Sequence, residues 1–231
     1  MSILQSNITY NRQYQTNKVM GLNMGISTII AAEDSGEKYC FVRFFNAAQN
    51  AETMDIYINS ELVVKGLKNG EFTPFRRAKA GVYNMEVRID AEGTHMDYAE
   101  LVSLMDDTAY TLALTGDASH LGMAVLTLNM NQDNWQPSIR FANLLANDEV
   151  IDIEVDGQKA ITGLMFREVS EEVDVTTGHY AIKVFDANSD VILQNNLEIT
   201  QSDRYLCIIF GDSGNPQSPP QLSVSEDSPV L

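Results

Sequence analysis

The chain has 231 residues, 44% of them hydrophobic and 20% charged, which is length and apolar content enough for two ordinary buried cores. Fifteen Lys and Arg stand against 32 Asp and Glu, a formal net charge of −17. That excess opposes nucleic acid and anionic membranes, so neither nucleic-acid binding nor membrane insertion is expected. The two cysteines, Cys40 and Cys207, make no disulfide framework; each is read as a small buried hydrophobe, unbridged to the other.

Residues 1–37 form an N-terminal arm or extra strand. Met1 to Lys18 is polar and rich in Asn and Gln, whereas Val19 to Ala32 is apolar enough to raise the question of a secretory leader. Within it Met20, Leu22, Met24, Ile26 and Ile30 alternate with small or polar residues, the period of a strand with one apolar face, and no clear signal peptide is read. That face needs a cover. It can fold onto its own first domain or add to the exposed sheet edge of a neighbouring subunit, so these five residues are the expected assembly contacts.

From Tyr39 the reading is all β. Tyr39 to Phe45, Met54 to Ile58, Leu62 to Val64, Val82 to Ile89, Leu101 to Leu104, Tyr110 to Leu114 and Met123 to Leu128 are short runs rich in β-branched and aromatic residues. Turn residues such as Asn59-Ser60, Asn69-Gly70 and Ala80-Gly81 separate them. These strands fill a first β-sandwich over residues 38–130. A short linker, 131–137, follows; its Trp135, the single tryptophan, either wedges the two domains together or contacts a ligand such as a sugar. A second β-sandwich, 138–231, carries Ser138 to Ala142, Ile151 to Val155, Gln158 to Ile161, Tyr180 to Phe185, Leu197 to Ile199, Tyr205 to Phe210 and Gln221 to Val224.

The second sandwich repeats the first. An offset of 97 residues aligns Arg43 with Arg140, Phe44 with Phe141, Asn46 with Asn143, Asp55 with Asp152 and Ile56 with Ile153. The same offset pairs Gly66-Leu67 with Gly163-Leu164, Glu71 with Glu168, and Gly81 and Tyr83 with Gly178 and Tyr180. Further on, a shorter offset aligns Tyr110 with Tyr205 and Gly116-Asp117 with Gly211-Asp212. A period of this length is a domain and not a solenoid repeat. Two tandem antiparallel β-sandwiches, Ig-like or transthyretin-like, are expected. Parity puts Met54, Ile56 and Ile58 with Ile151, Ile153 and Val155 on the core face, and Asp55 and Asp152 on the other.

Few residues suggest chemistry. Arg43 recurs with Asp55, and Arg140 with Asp152, which predicts two equivalent cross-strand ion pairs. The run Asp186-Ala-Asn188-Ser-Asp190 alternates oxygen ligands like a calcium loop. Val191 stands where such a loop has glycine and Leu197 where it has its bidentate Glu, so the run reads as a turn and no metal is expected. His95, His120 and His179 lie in dissimilar contexts; neither a catalytic set nor a cofactor is expected.

The Val-Arg-Phe strand, the following Asn loop, the apolar-Asp-apolar strand Met54-Asp55-Ile56-Tyr57-Ile58, the Gly-Leu step, the Ala-Gly-x-Tyr turn and the closing Ala-Tyr-Thr-Leu strand together resemble domain-of-unknown-function family 4397. The resemblance covers Tyr39 to Val224 in both copies. It implies tandem β-sandwiches of bacterial surface, wall-associated and secreted proteins, with no established enzymatic activity. The expectation is therefore a non-enzymatic structural protein of a bacterial surface layer, spore coat or appendage, self-associating into an oligomer or filament and in contact with other envelope or coat proteins. The alternative is a surface module, an adhesin, that binds carbohydrate or protein.

Overall fold

The computed structural model describes residues 9–10, 37–49, 51–91, 94–117, 120–130, 137–146, 150–200 and 203–229. After β1 (Thr9–Tyr10), the first domain runs β2 (Tyr39–Asn46), β3 (Thr53–Ile58), β4 (Glu61–Lys68), β5 (Arg76–Lys79), β6 (Gly81–Ala91), β7 (Thr94–Leu104), β8 (Thr108–Asp117) and β9 (His120–Asn129). The second runs β10 (Ser138–Leu145), β11 (Val150–Val155), β12 (Gln158–Met165), β13 (Val173–Asp174), β14 (Gly178–Phe185), β15 (Val191–Ile199), β16 (Arg204–Gly211) and β17 (Gln221–Glu226). The predicted runs all fall on strands. The short β5 and β13 are not marked in the sequence, because Arg76–Lys79 and Val173–Asp174 carry little apolar signal.

Each domain is a sandwich of two sheets. In the first, β5-β2-β8-β9 faces β4-β3-β6-β7; in the second, β13-β10-β16-β17 faces β12-β11-β14-β15. The sheets are not purely antiparallel as expected: β2 runs parallel to β8 and β10 parallel to β16. A parallel pair needs a long crossover, and here the facing sheet supplies it.

Between the sheets of the first domain lie Val42, Phe44, Met54, Ile56, Met85, Val87, Ile89, Leu112 and Leu114. Ile139, Phe141, Ile151, Ile153, Ile182, Val184, Cys207 and Ile209 fill the second. The parity reading holds for β3 and β11, whose Met54, Ile56, Ile151 and Ile153 are buried. The turns also repeat. Asn59-Ser60 and Asp156-Gly157 take positive φ at both central positions, the hairpin geometry that matches strand twist.

The arm is described only at β1. Thr9 and Tyr10 pair in parallel with Ser223 and Val224 of β17, so this part of the arm lies on the edge of the second domain and not on the first. Met20, Leu22, Met24, Ile26 and Ile30 lie outside the described residues.

Candidate functional site

The residues that recur in both copies are mostly fasteners of the backbone. Asp55 accepts a hydrogen bond from the Gly66 amide at 2.7 Å, and Asp152 one from the Gly163 amide at 2.8 Å. The glycines sit at φ +64° and +69°, where a side chain would be strained. The buried Asn46 amide group donates to the carbonyls of Ala51 and Leu67; Asn143 repeats the second of these bonds with Leu164. Tyr83 and Tyr180 donate their hydroxyls to the carbonyls of Lys79 and Thr176, pinning the turns before β6 and β14. These side chains are occupied in holding loops to strands.

The arginines do something else. The predicted pairs Arg43–Asp55 and Arg140–Asp152 do not form; both arginines converge on one acid, Asp227, Arg43 from across the domain junction and Arg140 from within the second domain itself. Arg43 donates to Asp227 at 3.0 Å, and Arg140 donates to the other oxygen of the same carboxylate through two of its nitrogens. Arg43 also donates to Thr111 Oγ1 at 2.8 Å, Ser225 Oγ at 2.9 Å and the Glu226 carbonyl at 2.6 Å, while Arg140 donates to the Thr127 carbonyl at 2.7 Å. Arg43 is flanked by the rings of Phe72 and Phe75. Burial pulls its guanidinium down to about 10, and the neighbouring Arg140 charge acts the same way against the pull of Asp227. The arginines miss these aspartates for a geometric reason. Arg43 and Asp55 do lie off the core faces of their own sheets, but those two sheets are opposite layers of the sandwich, so their outer faces point apart.

Equivalent residues exchange roles across the junction. Tyr110 lies opposite Thr127 and its counterpart Tyr205 opposite Glu226, which makes Thr127 and Glu226 equivalent. Each arginine therefore donates to the same carbonyl of the other domain, as expected of two repeats packed about a pseudo-two-fold axis. The next residues, Leu128 and Asp227, are equivalent too, so the shared acid is a feature of the second copy alone.

Around this network lies a third apolar core that joins the domains. Phe45, Ala47, Phe72, Ala113, Ala124 and Leu126 of the first domain pack against Ala142, Leu144, Leu206, Ile208 and Phe210 of the second. Phe45 meets Phe210 edge-on, with ring centroids 5.4 Å apart. Equivalent positions differ in size: Phe45 matches Ala142, Ala47 matches Leu144, and Ala113 matches Ile208. Bulk in one repeat faces space in the other, so the two surfaces interdigitate. A signal for this interface was present in the sequence. Ile139 to Leu145 and Tyr205 to Phe210 show little period-two alternation, and β10 and β16 are buried along their whole length on both faces. Asp227 carried no such signal, lying just beyond the last predicted strand.

Trp135 lies outside the described residues, as do residues 131–136 generally. The Asp186 carboxylate accepts hydrogen bonds from the amides of Asn188 and Asp190, both at 2.9 Å, and is held below the usual carboxylate range chiefly by the Asp190 amide. The run is a capped turn. Among the described residues no group of three or more His, Cys, Asp or Glu is placed to hold a metal ion. Cys40 and Cys207 are buried free thiols in separate domains, the first pushed up to about 11 by burial. An open depression of about 340 Å³ is lined by Met105, Asp106, Asp107, Thr108, Thr127 and Asn129. Its Asp106 is engaged by Lys38 at 2.7 Å, and the Thr108 hydroxyl donates to the Asp106 main-chain carbonyl at 2.9 Å. No helix among the described residues is long and apolar enough to cross a membrane.

A family model described as "Domain of unknown function (DUF4397)" matches residues 40–149 and again residues 137–230. No curated protein matches the chain.

Proposed function

Because the chain belongs to the DUF4397 family, in two tandem copies, we propose that it is a non-enzymatic structural protein of a bacterial surface layer, spore coat or appendage, assembling with copies of itself through its N-terminal arm. The observation that carries this reading is the way the repeats are joined. Two homologous sheets are fused through a buried apolar core and a buried charge network, which makes one stiff two-domain block out of modules that could have been left on a flexible tether. The polar residues repeated in both copies are spent on loops and on that junction. The pairing of β1 with β17 adds a second support, since it shows an edge that takes a strand from the arm.

The test is the mass of the full chain in solution against that of a variant lacking residues 1–32, measured by light scattering. A polymer or ring that falls to a monomer on truncation is the expected result. Equal masses for the two proteins would reject the arm as the connector.

A further inference from the structure

The exposed edges of the sheets are guarded unequally. Edge strands are normally protected from pairing with other chains by charge, proline, bulges or brevity. Here β4, β5, β7, β12 and β15 each carry at least one Lys, Arg, Asp or Glu, and β4, β12 and β15 also pair with irregular register. In β9, the sequence His120-Leu-Gly-Met-Ala-Val-Leu-Thr-Leu-Asn129 has no such charge and no proline over ten residues, and it pairs with β8 without a bulge. In a chain of net charge −17, an edge of that length without an acid is the place where a second copy approaches with least repulsion.

The pseudo-two-fold relation says what fits there. The edge equivalent to β9 is β17, and β17 is paired with β1, at Thr9 on Ser223 and Tyr10 on Val224. The equivalent positions on β9 are Ala124 and Val125, because Ala113 faces Ala124 as its counterpart Ile208 faces Ser223. The capping of the two edges corresponds as well: Arg43 takes the Glu226 carbonyl of β17, and Arg140 takes the Thr127 carbonyl of β9. On β9 the Tyr98 hydroxyl also takes the Met123 amide. Both contacts come from the side away from β8, so by strand parity the Val125 amide and the Met123 carbonyl also face outward. Those are the two groups that a parallel strand uses. Val125 is 45% exposed, and among the described residues nothing pairs with β9 on this side. The first eleven residues of the chain have no charged side chain either, which suits them to an uncharged edge.

We propose that the β9 edge of the first domain, centred on Val125, is the acceptor for the N-terminal strand around Thr9–Tyr10 of a second copy of this chain. The inference rests on the assembly reading above and names its acceptor. The strand leaves β17 of its own chain and adds in parallel to β9 of the next, in the register it has on β17, with main-chain hydrogen bonds to Val125 and Met123 supplying the recognition. Donor and acceptor are different surfaces, so the contact is heterologous and propagates into a ring or filament.

Full-length Val125→Pro removes the outward amide, a change that an edge strand tolerates. Its mass should drop at least twofold, to that of the protein lacking residues 1–32, with an unchanged β-sheet circular dichroism spectrum. Val125→Lys, which keeps the amide and adds a charged guard, should give the same drop and serves if the proline variant unfolds. In a mixture of two singly substituted proteins, Tyr10→Cys and Val125→Cys, a disulfide-linked heterodimer should appear on a non-reducing gel. If truncation lowers the mass but neither Val125 variant does, the acceptor is elsewhere and this inference fails while the assembly reading stands. If neither truncation nor the Val125 variants lower it, both fail. If the Val125 variants lower the mass and truncation does not, β9 pairs with a second β9, which also overturns the proposal.

Discussion

Asp227 is the residue on which the junction turns. It is 2% exposed at its side chain and answers two arginines, Arg43 at 2% and Arg140 at 10%, which would otherwise be buried cations facing one another. Removing one member of a buried ion network leaves uncompensated charge, at a cost of about 3–5 kcal/mol. Asp227→Asn is therefore expected to lose about that much stability in urea unfolding. Asp227→Leu, which copies the equivalent Leu128, should do no better, because both arginines remain. A loss below about 1 kcal/mol for either variant would mean that water or another group screens the pair.

At the scale of the element, the loops decide which glycines are essential. Gly157 and Gly211 both hold positive φ, +74° and +105°, but their surroundings differ. A Cβ at Gly157 would meet nothing within 4 Å, whereas one at Gly211 would come within 2.5 Å of the Pro219 carbonyl oxygen. Gly157→Ala should cost only the backbone term, about 1 kcal/mol. Gly211→Ala adds a clash with main chain that has no flexible end to swing away, so about 3 kcal/mol or more is expected. Thermal melts of the two variants side by side check the ranking; equal losses would show that the loop at Pro219 gives way freely.

The whole molecule should behave as one cooperative unit, because the two sandwich cores are joined by a third. Phe45 is fully buried in that third core, against Phe72 and Phe210. Phe45→Ala is expected to cost about 3–5 kcal/mol, and the native chain to unfold in a single transition by circular dichroism and by fluorescence alike. Two separated transitions in the native protein would show that the domains fold independently and that the junction is weaker than its burial implies.

Much of this fold is local in origin and was legible in the sequence. The period-two face of Met54, Ile56 and Ile58, the turn pair Asn59-Ser60, and the recurrence of Asn46, Asp55 and Gly66 at one offset are properties of short segments, so the sequence by itself determines two sandwiches. Of the junction only one trace was legible, the unalternating apolar runs of β10 and β16; the partners that meet there were not. Period two says that Arg43 and Phe45 lie off the core face of β2, but it does not say whether the opposite face meets water or another sheet. What covers Arg43 comes from 182 to 184 residues away, at Ser225, Glu226 and Asp227, and Phe45 meets Phe210 of the other domain. Which residues meet at that separation leaves no periodic trace; the contacts exist only once both domains have closed and two apolar sheet faces have been removed from water together.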